Sequence, residues 1–224
     1  MAKLIWDAVG ERLYELGVKK TVLFPQNSNG TYAKGVAWNG MTNITEKPDG
    51  AEANPMYADD IKYAAPRTKE EFKSTAEAFT YPDEFGECCG EKEIAPGVII
   101  GQQKRKAFGL CYRTTIGNDT DDYAHGYKLH FVYGATAAPV EKAYETMNEN
   151  PDAITFSWDI ETIPVEVEGC EPTSIVTINS TTADPTKLAA LEAIVYGTDG
   201  TGGTGGTDPR LPLPNEIKEL MKTT

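Results

Sequence analysis

The chain has 224 residues, 40% of them hydrophobic and 25% charged, which suits one sizeable globular domain with long loops and is read here as a single unit, 1–224. Thirty-four acidic against 21 basic residues leave a net charge of −13, which argues against a protein that grips nucleic acid through its phosphates. No run approaches the ~20 apolar residues needed to cross a bilayer.

The opening MAKLIWDAVGERLYELGVKK has neither a basic head before an apolar run nor a small-residue cleavage site, so no leader is expected. A reducing cytoplasm is the expected folding compartment. Within this segment Asp7–Leu16 has helical character, weakened by Gly10. Thr21–Phe24 reads as a strand. Asn39–Arg67 is polar, contains proline and is long for a connection in a compact domain, so it is read as an extended loop ordered against a neighbour. Phe72–Tyr81 is the next expected strand, followed after Pro82 by a helical turn over Asp83–Cys89. Phe108–Thr115 is again strand-like.

The second half alternates strictly. In Tyr127–Tyr133, Tyr127, Leu129, Phe131 and Tyr133 oppose Lys128, His130 and Val132. In Ala153–Val165, Ile154, Phe156, Trp158 and Ile160 share one face, and Thr155, Ser157, Asp159 and Glu161 the other. Period two is the mark of a strand with one apolar and one wet face. Ser174–Asn179 follows with β-branched content. Asp184-Pro185 then reads as an N-cap with proline at the first helical position. Leu188, Leu191, Ile194 and Val195 recur at helical spacing, which predicts an amphipathic helix over Pro185–Val195. Thr198–Pro209 is a low-complexity Gly/Thr tract expected to be a flexible loop, and Asn215–Met221 a short final helix. Serial strands with few helices predict a mainly β sandwich or barrel, with one flanking helix.

No catalytic constellation stands out. The G-x-G-x-x-G at Gly200, Gly202 and Gly205 arises from a Gly/Thr repeat and is followed by Asp208, Pro209 and Pro212, not by a helix start that would meet phosphate. His130 falls in a predicted strand and His125 in the turn before it, without zinc-ligand spacing. Cys88 and Cys89 are adjacent while Cys111 and Cys170 stand apart, so no C-x-x-C occurs, and buried or half-buried free thiols are expected. Sequons at Asn29, Asn43, Asn118 and Asn179 carry little weight in a chain with no expected route to glycosylation. The pair Asp159 and Glu161 has the composition of a glycosidase couple, but both lie on one strand face, and a solvated face is the plainer reading. No metal, cofactor or catalytic residue is assigned.

Several segments resemble a known family. GYKLHFVYGATAAPVEKAY (Gly126–Tyr144), ITFSWDIETIPVEV (Ile154–Val167), STTADPTKLAALEAIVYG (Ser180–Gly197) and RLPLPNEI (Arg210–Ile217) are similar to the major tail proteins of long-tailed bacteriophages. So, upstream, are GTYAKGVAWNG (Gly30–Gly40), NPMYADDIKY (Asn54–Tyr63), YPDEFGECCG (Tyr81–Gly90) and RKAFGLCYRTTIGND (Arg105–Asp119). The Gly/Thr tract departs from the pattern. The resemblance implies a β-sandwich or barrel-like tail tube fold that assembles into hexameric rings with a shared β-barrel lumen. It implies a non-enzymatic virion protein assembled in the host cytoplasm. Its expected partners are its own copies and the tail tip, tape measure and tail terminator proteins. DNA passes through such a tube without specific binding, and no membrane is involved.

Under that expectation 1–20 is an N-terminal arm and 39–67 an inter-ring or inter-subunit loop. Trp6, Trp38, Met56, Tyr57 and Tyr63 are the candidate interface anchors, because aromatic residues and Met are enriched at interface cores. Asp159 and Glu161 are the candidate lumen residues, placed to repel phosphate. The rival readings are a tube subunit of a contractile or secretion-like system, a carbohydrate-binding β-sandwich and a capsid decoration protein.

Overall fold

The computed structural model describes residues 3–139, 141–144, 146, 153–200 and 205–222. Its framework is one eight-stranded antiparallel sheet. In chain order the sheet contains β1 (Tyr14–Pro25), β2 (Val36–Ala37) and β3 (Met41–Glu46). Three further short strands, β4 (Asp49–Gly50), β5 (Met56–Ala58) and β6 (Ile61–Ala64), leave it, and β7 (Glu70–Glu71) pairs back with β4. The sheet resumes with β8 (Lys73–Ala78). Helix α1 (Asp83–Cys88) and the hairpin β9 (Lys92–Ala95) and β10 (Val98–Ile100) follow. The long strands β11 (Phe108–Asn118) and β12 (Asp122–Ala137) come next, then β13 (Phe156–Thr162) and β14 (Ile175–Asn179). Helices α2 (Pro185–Tyr196) and α3 (Pro214–Met221) close the chain.

The strand order is β2-β1-β11-β12-β13-β8-β3, with β14 also paired to β12. Strand β12 makes this branching possible. Its Lys128–Val132 stretch pairs with β14, whereas Ala135–Ala137 pairs with β13. Gly134 sits between the two stretches with φ of +59°, and a Cβ there would meet the Ile163 carbonyl oxygen at 2.2 Å, so only glycine fits.

The sheet rolls until β3 lies back against β1, yet no ladder closes it into a barrel among the described residues. The concave side holds Leu23, Trp38, Phe85, Phe108, Leu110, Tyr112, Val132, Trp158 and Ile160. On the convex side α2 and α3 cover β1, β11, β12 and β14, burying Phe24, Leu129, Phe131, Tyr133, Leu188, Leu191 and Ile217. Asp184 caps α2 through its carboxylate, which accepts from the Thr186 and Lys187 amides at 2.9 and 3.1 Å.

Several expectations need correction. Asp7–Leu16 is not helical: Asp7 and Gly10 both have positive φ, which breaks an α-turn, and the chain enters β1 at Tyr14. Asn39–Arg67 is not one loop, because Met41 and Ile44 pack on the concave core and make β3 an edge strand of the sheet. Its polar alternate residues, Thr42, Asn43 and Thr45, had disguised it. β12 has no wet face at its centre, where Val132 and His130 are buried along with Leu129 and Phe131. His125 lies within β12 instead of a preceding turn. β13 stops at Thr162, short of Val165, because Pro164 has no amide to donate to a ladder. Cys170 is exposed, unlike Cys88, Cys89 and Cys111. Part of the Gly/Thr tract, Gly202 included, lies outside the described residues. The tract's ends meet in a bridge between Thr198 and Thr207, and the next helix starts only at Pro214.

Candidate functional site

The convex face beyond the helices, formed by β13, β8 and β3, is left to solvent. Phe156, Trp158 and Ile160 turn inward, so Ser157, Asp159 and Glu161 turn outward beside Glu77, Thr75 and Lys73 of β8. Asn43 and Thr45 of β3 complete the surface. Asp159 accepts a hydrogen bond from Thr75 Oγ1 at 2.7 Å, and Lys47 Nζ donates to the same hydroxyl at 2.8 Å. Lys73 stands opposite Glu161 in register and donates to Asp49 at 2.8 Å. That hydrogen bond is the largest cause of the raised Lys73 pKa and of the lowered Asp49 pKa. The face therefore carries carboxylates with two lysines interleaved, an alternation that the sequence reading of Asp159 and Glu161 had not included.

Trp38 is not at the surface. It is 3% exposed, its indole N–H donates to the Thr80 carbonyl at 2.9 Å, and its ring lies 4.3 Å from Phe85 and 5.4 Å from Trp158. It belongs to an aromatic box with Phe85, Trp158, Tyr81 and Phe108. The same box buries the adjacent thiols, and desolvation pushes Cys89 up to about 11 and Cys88 up to about 12, so neither is a thiolate at neutral pH.

The other four anchors are exposed. Trp6 stands in the segment before β1 together with Leu4, Ile5, Val9 and Leu13. This segment is tied to the β11–β12 turn where the Gly10 amide donates to Asp119 and Asn118 donates to the Gly10 carbonyl, at 3.0 and 3.1 Å. Met56, Tyr57 and Tyr63 lie on the β5–β6 hairpin with Ile61. Asp59 and Asp60, both at positive φ, form its two-residue turn, the geometry that matches the twist of a hairpin. A second such hairpin, β9–β10, was missed by sequence reasoning. It exposes Ile94, Val98, Ile99 and Ile100, and its signal was Pro96-Gly97 between Ile94-Ala95 and the apolar run Val98–Ile100.

Where β3 returns to the sheet, Glu46 reaches inward. Tyr112 of β11 donates to its carboxylate at 2.6 Å, and His130 Nδ1 of β12 stands 3.5 Å from it. His130 is stacked on Tyr112 and lies 3.0 Å from the Thr114 hydroxyl through Nε2. Burial raises the Tyr112 pKa, with Glu46 adding to the effect, and burial lowers that of His130. This clasp holds the seam that no ladder closes.

Among the described residues, no group of three or more histidine, cysteine or acidic side chains is disposed to hold a metal ion. Nor, among the described residues, is any helix long and apolar enough to cross a membrane. A cleft between α2 and the β11–β12 hairpin is lined by Arg113, stacked 3.4 Å over Tyr127, and by Glu192.

No family model matches the chain, and no curated protein matches it. Among solved structures it is similar to the sheath/tube terminator of an extracellular contractile injection system, the PVC, seen in its extended state by cryo-electron microscopy. That likeness has a TM-score of 0.33 and 9% identity, over 79% of this chain and 99% of the other. It is too distant to carry a fold or a role from one chain to the other.

Proposed function

We propose that the chain is a non-enzymatic structural subunit, the major tail tube protein of a long-tailed bacteriophage, which forms stacked hexameric rings in the virion tail and conducts DNA during ejection. The observation that carries this reading is the unfinished surface of the monomer. Among the described residues, a rolled sheet with unpaired outer edges is flanked by an apolar arm and two hairpins whose large apolar side chains stay exposed. Exposed strand edges and contiguous apolar ribbons are liabilities in a free protein and assets in a polymer. The segment resemblance supplies the kind of polymer: a tube built from its own copies and bounded by tail tip, tape measure and tail terminator proteins.

The acidic balance suits a conduit. Carboxylates facing a channel repel phosphate over about 8 Å at physiological salt, and Asp159, Glu161 and Glu77 provide them on an ordered strand face. Lys47 and Lys73 on the same face temper that repulsion. A tube subunit of a contractile system is the nearest second reading, and a sheath partner distinguishes it.

The test is negative-stain electron microscopy of the concentrated protein with mass photometry alongside. Rings or hollow tubes are expected. A chain that stays monomeric in both overturns the reading, and glycan binding on an array then favours a binding module. In assembled particles, Asp159→Lys with Glu161→Lys is expected to slow DNA delivery while tubes still form; unchanged delivery removes these residues from the lumen.

A further inference from the structure

Two hairpins stand off the sheet, one with an acidic turn and the other followed by a cationic stretch. The turn of β5–β6 presents Asp59 and Asp60 side by side, with Lys62 as the one cation on its strands. Between Glu91 and Lys106, the stretch containing β9–β10 has four cations, Lys92, Lys104, Arg105 and Lys106, against two carboxylates, Glu91 and Glu93. In a chain of net charge −13 this local excess of positive charge stands out. Lys92 and Lys104 are exposed and form no ion pair among the described residues, and the same holds for Asp59 and Asp60.

Each hairpin is also apolar. Tyr63 is 76% exposed and Tyr57 70%, while Ile99 is 63% and Ile94 59%, so neither hairpin is covered by the other within one chain. A two-stranded ribbon has marginal stability in water until something packs on it. Eight large apolar side chains, four on each hairpin, thus await a covering surface beside complementary charges.

We propose that the β9–β10 hairpin of one copy is the docking site for the β5–β6 hairpin of the next, with Asp59 and Asp60 set against Lys92 and Lys104. The inference rests on the self-assembly reading above and specifies its contact. The two surfaces differ, so the contact is heterologous. Such contacts run head to tail and either close a ring or extend a stack. Opposite charges select the register and exclude tip-to-tip encounters, while the apolar side chains supply the burial.

Charge reversal tests the pairing. Asp59→Lys with Asp60→Lys, and separately Lys92→Glu with Lys104→Glu, should each raise the protein concentration needed for assembly about tenfold or more, since like charges then face each other. All four residues are exposed, so the thermal melt of the monomer should not move. Mixing the two variants should restore alternating assembly, because each then offers the other a complementary surface. So should the chain carrying all four reversals. Reversal variants that assemble like wild type, or a mixture that stays unassembled, overturn the docking while leaving the tube reading intact. A wild-type chain that never assembles overturns both.

Discussion

The aromatic box around Trp158 and the β5–β6 hairpin use the same residue types to opposite ends. In the box, Trp38, Phe85, Phe108 and Trp158 meet tilted or edge to face with centroids 4.3 to 5.4 Å apart, sealed by β8, β13 and α1. In the hairpin, Met56, Tyr57, Ile61 and Tyr63 face water. The difference is not composition. It is whether the chain has another layer of its own to lay over the apolar face.

If that contrast is right, substitutions in the two places should separate folding from assembly. Trp158→Ala should cost the fold about 3–5 kcal/mol in denaturant unfolding, through lost burial and the cavity left behind. Assembly should fail with it, and a cost below about 1 kcal/mol would mean the box is not the centre of the core. Asp184→Ala removes the N-cap of the helix that covers the convex face and should cost about 1 kcal/mol by the same measurement. Tyr57→Ser with Tyr63→Ser should move the monomer's stability by no more than about 0.5 kcal/mol, as exposed positions do, while abolishing tubes in the microscope. A large loss of monomer stability there would show that the hairpin packs on its own chain.

The seam lies between these extremes, and pH probes it. His130 has a pKa lowered by burial, with the Glu46 carboxylate opposing more weakly, so the unfolded chain takes up the proton more readily than the folded one. Its contribution to stability is present above the unfolded value of about 6.5 and is lost as pH falls through the folded value. His130→Gln should flatten the stability profile below about pH 6.5 while leaving the neutral region nearly unchanged. An unaltered slope would mean that other groups govern acid sensitivity.

Much of the framework was legible in the chain. Alternation over Phe156–Thr162 placed Trp158 inward and Asp159 outward, because side chains on a strand point to opposite faces whatever their surroundings. Asp184-Pro185 located the start of α2 because capping is a local event. The β9–β10 hairpin was readable in principle from Pro96-Gly97. The burial of Trp38 was not, since an exposed and a buried tryptophan look alike in sequence. The β3 strand was hidden because only Met41 and Ile44 touch the core, and Asp7–Leu16 misled because its apolar spacing imitates a helix that Asp7 and Gly10 break.

Strand periodicity, the helix start and the lack of a zinc-ligand spacing depend on neighbours along the chain, and net charge on composition, so all four are fixed before any folding. Which faces are covered depends on how the sheet rolls and where the helices pack. Burial of Trp38, the second buried face of β12, the Glu46–Tyr112–His130 clasp and the lysines beside Asp159 each join residues far apart in sequence. The rolling of the sheet brings them together, and no local pattern records that.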